Sequence, residues 1–214
     1  DAGINASGTV LAPIVDELAE YIAGIGNGRG QAKPAVIGHS MGGLTALMLA
    51  RQHPELTSRI MIVDALPFIG TLFNPAATVE LIHPQAEMMA SMLRGQYGLS
   101  PHLVDPDSPQ LMGMSITADG RRQVGEWSAT ADPRVSAQAM FDDLTTDMRP
   151  ELAAISAPTV LLYAVDEEAI GAERARSMFE SAYVAMPHFT AVPVTGSRHF
   201  IMLDQPTRFL EEVQ

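Results

Sequence analysis

The chain has 214 residues, of which 47% are hydrophobic and 18% charged. That is enough for one domain with a substantial core, or for a core domain carrying a small lid, and the apolar content excludes a disordered chain. Twenty-five acidic against thirteen basic side chains give a formal charge of −12. Such a field repels phosphate backbones and points away from nucleic acid, and no Lys/Arg block marks a membrane-surface patch. The absence of cysteine excludes disulfides, thiolate catalysis and cysteine-ligated zinc. No apolar run approaches the roughly 18 residues of a membrane span.

In chain order, the first predicted element is an amphipathic helix over about Thr9–Ile25, where Val10, Ile14, Leu18 and Ile22 recur at helical spacing and Ser7 or Thr9 stands near the start. Gly24, Gly26, Gly28 and Gly30 follow; with no Lys-Ser/Thr behind them they read as a linker rather than a phosphate loop. Pro34–His39 reads as a buried parallel strand, Gly42–Gln52 as a helix and Arg59–Asp64 as the next buried strand, together a βαβ unit.

Between Pro67 and about Pro158 the texture changes. Prolines cut the segment into pieces, helices are predicted near Glu80–Arg94, from Pro109–Leu111 onward, over Arg121–Ala129 and over Ser136–Thr146, and no strong strand appears. This reads as a helical insertion. Seven of the thirteen methionines fall in it, which suits packing within the insertion or a pliable substrate channel. Phe68, Phe73, Trp127 and Phe141 suggest an apolar pocket or the insertion's own core. Regular texture resumes with a strand at Thr159–Val165, a helix at Ala172–Ala182, a strand at Thr190–Val194 and a final helix from Leu203 to Val213. Pro193 cannot donate to a ladder and places the last strand at an edge.

Gly38-His39-Ser40-Met41-Gly42 fits Gly-x-Ser-x-Gly at a strand-to-helix junction, the context in which a serine is presented on a strained turn above a sheet. Gly38 and Gly42 leave room for the turn, the following helix aims its free N–H groups at the site, and the N–H of Met41 is the expected oxyanion donor. A serine hydroxyl needs a base. Of six histidines, His39 lies in the strand and should point away from Ser40 as a packed residue. His53, His83, His102 and His188 each adjoin a proline. His199 follows the last strand, on the loop at the carboxyl edge of the sheet, where Ser40 also emerges. The acid that orients the base should end a strand between serine and histidine in the chain. Asp166 fits and is the choice, with Glu167 beside it and Asp64 at the end of the preceding strand as alternatives. Asp204 reads as the cap of the last helix.

With these residues in view, the chain resembles the α/β-hydrolase superfamily in its esterase and lipase-like branch. The motifs are Gly-His-Ser-Met-Gly-Gly at 38–43, Ala-Pro-Thr-Val-Leu-Leu-Tyr-Ala-Val-Asp at 157–166 and Ser-Arg-His-Phe-Ile-Met-Leu-Asp-Gln-Pro at 197–206. The resemblance implies an α/β fold, a mostly parallel sheet with a helical cap after the strand ending near Asp64. The core is expected at 1–66 and 158–214 and the cap at 67–157. It departs at Ala164, where the family usually has glycine before the acid, which keeps Glu167 in play. It also departs at the start: Asp1–Gly8 look like the tail of a loop, and the first strands and a His-Gly loop with a second oxyanion donor are missing. The expectation is that they precede this sequence in the natural protein or belong to a separate partner chain.

The implied activity is hydrolysis of an ester or lactone, with a small, apolar substrate and no metal or organic cofactor. Amidase, carbon–carbon hydrolase, perhydrolase and acyltransferase chemistry fit the same residues, and a ligand-binding or receptor protein can share the fold. Compartment and oligomeric state are not encoded in these features; cytoplasmic and exported locations both fit.

Overall fold

A computed structural model of the chain describes residues 8–26, 32–99 and 104–214. Four strands, β1 (Ala35–His39), β2 (Arg59–Val63), β3 (Thr159–Val165) and β4 (Phe189–Thr195), form one sheet in the order β1-β2-β3-β4. Every pairing is parallel, as connections through helices require. The helices are α1 (Leu11–Gly26), α2 (Met41–Gln52), α3 (Val79–Arg94), α4 (Pro109–Met112), α5 (Ala118–Thr130), α6 (Pro133–Thr145), α7 (Ala172–Ala182), α8 (Ile201–Asp204) and α9 (Pro206–Val213). Short 3₁₀ turns span Ile69–Leu72 and Arg149–Ala154. No helix among the described residues is long and apolar enough to cross a membrane.

The βαβ unit, the helical texture of the segment between β2 and β3, and the edge position of Pro193 agree with the sequence reading. Two details differ. Strand β1, expected to be buried, has Ala35 and Ile37 exposed, because β2 is its only neighbour among the described residues. The single final helix is two, broken at Gln205 before Pro206. Ser7, Gly28 and Gly30, and all of Asp1–Gly8 except Gly8, lie outside the described residues.

The core sits where α2 and α7 pack on β2 and β3. From Gly43 to Ala50 every residue of α2 is buried, so this helix is apolar all round rather than amphipathic. Gly43 permits the close approach: a Cβ there would lie 2.8 Å from that of Ala65 and 2.9 Å from Cγ2 of Ile62. Tyr183, fully buried, stacks on Phe189 and donates its hydroxyl to the Ala65 carbonyl at 2.9 Å. Burial pushes its phenol well above the ordinary tyrosine range. Between β2 and β3, α3 and α6 enclose a separate apolar cluster of Phe68, Ala77, Ile82, Ala86 and Leu144. Helix α1 is capped from a distance: the Asp142 carboxylate accepts the N–H groups of Val10 and Leu11. Two of the orphan donors at that helix start are thereby satisfied.

Candidate active site

The site forms at the carboxyl ends of the strands, where a parallel sheet offers a crevice. Leaving β1, the backbone turns at Ser40 with φ 55° and ψ −126°, a region costly for any residue with a side chain. The turn is held by Ser40 N–H donating to Val63 O at 2.9 Å and by Gly43 N–H donating to Ser40 O at 2.7 Å. Ser40 occupies the N-cap position of α2, yet its hydroxyl makes no capping bond. Instead Ser40 Oγ lies 2.9 Å from His199 Nε2. The N–H of Met41 begins α2 and has no acceptor within the helix.

The glycines of the motif divide their work unequally. A Cβ on Gly38 would stand 2.1 Å from the Gly42 carbonyl oxygen, whereas one on Gly42 would meet nothing within 4 Å. The collision expected at both positions is therefore real only at Gly38. Gly38→Ala is expected to destabilise the fold by about 1–3 kcal/mol, the usual cost of overpacking. Gly42→Ala should stay within about 0.5 kcal/mol. Denaturant titration of the two variants checks the contrast.

The carboxylate against His199 is that of Asp64, not Asp166. Asp64 follows β2 with φ 48°, a positive value uncommon outside glycine. Its Oδ1 accepts the Ala164 N–H at 2.9 Å, and its Oδ2 lies 2.8 Å from His199 Nδ1. Since a carboxylate only accepts, Nδ1 carries the proton and Nε2 is left to accept from the Ser40 hydroxyl. Asp166, the first choice from sequence, faces away from the imidazole into an ion pair with Arg198, Nε to Oδ2 2.6 Å. That guanidinium holds the Asp166 carboxyl below its ordinary range. Glu167 is exposed and lines a different cavity.

Three features here were not anticipated. His39 is no bystander: its Nε2 donates to the His199 carbonyl at 2.8 Å, and its ring packs against those of His199 and Phe200. Burial, then the neighbouring His199, lower its pKa, which keeps it neutral. Asp204, expected to cap the last helix, instead ends α8. Its carboxylate accepts the N–H groups of Ile116 and Arg198 and the Ser115 hydroxyl. Arg198 also donates through Nη1 to the Met112 carbonyl, so the loop bearing His199 is fastened to residues 112–117 at several points.

A cavity of about 480 Å³ opens beside Ser40 and His199. Its apolar wall comes from Leu66, Ile69 and Leu72 after β2 and from Ile170, Met178 and Phe179 around α7. None of the four aromatic residues singled out from sequence lines it. Phe68 and Phe141 belong to the cluster between α3 and α6, Trp127 lies against Phe200, and Phe73 borders a second cavity of about 1220 Å³. The two cavities share Leu72, Ile170 and Met178.

The sequence profile of the alpha/beta hydrolase family matches residues 5–212, and the chain belongs to that family. A Haemophilus influenzae protein carrying an esterase/lipase name is 24% identical over 196 residues, covering 88% of this chain and 62% of that protein. An esterase of Mycobacterium tuberculosis is 25% identical over 217 residues, covering 95% of this chain and 63% of that one. The chain thus spans less than two thirds of the length of these relatives. Among solved structures, a thermophilic esterase from Thermogutta terrifontis superposes with a TM-score of 0.67 at 20% identity, over 100% of this chain and 72% of that one. At this identity the likeness speaks to the fold.

Proposed function

We propose that the chain carries the machinery of a serine hydrolase that cleaves a carboxylic ester or lactone through an acyl-serine intermediate. Ser40 is the nucleophile, His199 the general base and Asp64 the acid that orients it. The observation that carries this reading is the unbroken relay from Ser40 Oγ through the imidazole to Asp64, with contacts of 2.9 and 2.8 Å. In the reaction, Ser40 Oγ attacks the carbonyl carbon while its proton passes to His199 Nε2. The carbonyl oxygen takes the negative charge, and the Met41 N–H at the start of α2 donates to it. The C–O bond to the alcohol then breaks, and His199 returns the proton to the leaving oxygen. Water, deprotonated by the same nitrogen, attacks the acyl-serine and releases the acid. Asp64 keeps the Nδ1 proton in place and stabilises the imidazolium.

The segment over 67–157 acts in this reading as a cap on a core formed by 1–66 and 158–214. Its support is the separate apolar cluster that α3 and α6 enclose. The apolar wall of the cavity suits an uncharged acyl or alcohol group. The esterase names of the relatives agree with this chemistry.

A fluorophosphonate probe tests the assignment directly. One equivalent of label on the peptide containing Ser40, with loss of nitrophenyl-ester turnover in proportion to labelling, is the expected result. A protein that turns over the ester while Ser40 stays unlabelled refutes the assignment.

A further inference from the structure

The cavity beside Ser40 holds a carboxyl group that neither the fold nor the proposed reaction uses. Asp142 and Asp143 are neighbours on α6 and are both buried, but they differ in their surroundings. Asp142 is fully engaged: it caps α1 and accepts from Gln138 Nε2 at 2.8 Å. Asp143 lines the cavity with Ser40 and His199, is 8% exposed, and has no hydrogen-bond or ion-pair partner among the described residues. The other two aspartates on the same wall are committed, Asp64 to His199 and Asp166 to Arg198. Arg198 is committed in turn, through Nε to Asp166 and Nη1 to Met112 O.

The Asp143 oxygens are not among the fully enclosed unpartnered atoms, so they stay open to the cavity, where a donor on a ligand can reach a carboxylate that no protein group has engaged. We propose that Asp143 is the specificity-determining residue of this site, accepting a hydrogen bond from a hydroxyl or ammonium group carried by the substrate. The inference rests on the ester-hydrolase reading above. It narrows the substrate class to esters with a donor group near the scissile bond. Esters bearing a carboxylate are disfavoured, because the carboxylates of Asp64 and Asp143 face the space they would enter and Arg198 is already paired with Asp166. Burial pushes the Asp143 carboxyl up to about 6, against the pull of the nearby His199, so the anion is strained there and a donor from the substrate would relieve it. A site built around such a group discriminates against an analogue lacking the donor, because the analogue leaves the acceptor desolvated and bare.

The test compares kcat/KM for ethyl butyrate, ethyl 3-hydroxybutyrate, ethyl 3-aminobutyrate and 2-hydroxyethyl butyrate, in wild type and in Asp143→Leu and Asp143→Asn. The wild type should favour at least one donor-bearing ester over ethyl butyrate by about tenfold or more. Asp143→Leu should bring that ratio to about one, while Asp143→Asn keeps part of a hydroxyl preference and loses an ammonium preference. Turnover of ethyl butyrate with no donor preference overturns this inference alone, as does a loss in Asp143→Leu that is equal for all four esters. Absence of turnover for all four in wild type takes the ester-hydrolase reading down with it. Melting at pH 8 completes the test: Asp143→Leu should unfold at or above the wild-type midpoint. A large drop would make Asp143 a structural residue and overturn the proposal.

Discussion

Ser40→Ala should lower the turnover of a nitrophenyl ester by about four to six orders of magnitude, with melting behaviour unchanged. In the proposed reaction the size follows from removing the atom that forms the covalent bond, while the apolar cavity and the Met41 N–H remain to give a small residual rate. Unchanged folding follows from the bonding around the turn. Ser40 contributes its backbone N–H and carbonyl to the fold, and among the described residues its hydroxyl reaches only His199 Nε2. Alanine keeps the Cβ and with it the strain at φ 55°. Glycine relieves it, so Ser40→Gly should be equally inactive and as stable or more so. Full activity in either variant would remove Ser40 from the chemistry.

The second large effect separates two aspartates. Asp64→Asn should reduce kcat by about three to four orders of magnitude, and Asp166→Asn by about tenfold at most. An asparagine at 64 can still accept the Ala164 N–H through its oxygen, which turns its amide toward His199 Nδ1. Two donors cannot face each other, so the ring adopts the tautomer protonated at Nε2 and can no longer take the proton of Ser40. Asp166→Asn acts one step away, by loosening Arg198, whose backbone adjoins His199. Rates measured for both variants in one buffer decide between them. The reverse order would return the orienting role to Asp166.

How far the site could be read from sequence depended on whether local pattern or long-range geometry fixed each residue. Ser40 sits in a motif whose glycine, strand and helix are all within a few residues of it, and His199 lies in the one histidine loop that follows a strand at the right edge. The acid was different. Asp64 and Asp166 end adjacent strands of the sheet, and chain order admits both. What separates them is the positive φ at Asp64 and the return of Arg198 to neutralise Asp166, and neither is a periodicity. An arginine directly before the histidine was the available signal, since a cation on that loop would seek a carboxylate nearby. The elements themselves followed from spacing and proline placement. The cavity wall did not: the aromatic residues between β2 and β3 were drawn into their own cluster or the surface, and Leu66, Ile69, Leu72, Ile170, Met178 and Phe179, from two distant stretches, lined the site instead. Asp143 carried no signal at all, because an Asp-Asp pair on a helix reads as a solvated face.

The Asp204 clamp constrains traffic into the site. Because one carboxylate gathers amides from both the 112–117 segment and the loop carrying His199, that flank cannot swing outward without dragging the imidazole off the serine. In the proposed reaction this leaves the other flank as the route for substrate and product, past Leu72 and Ile170, where the two cavities share lining residues.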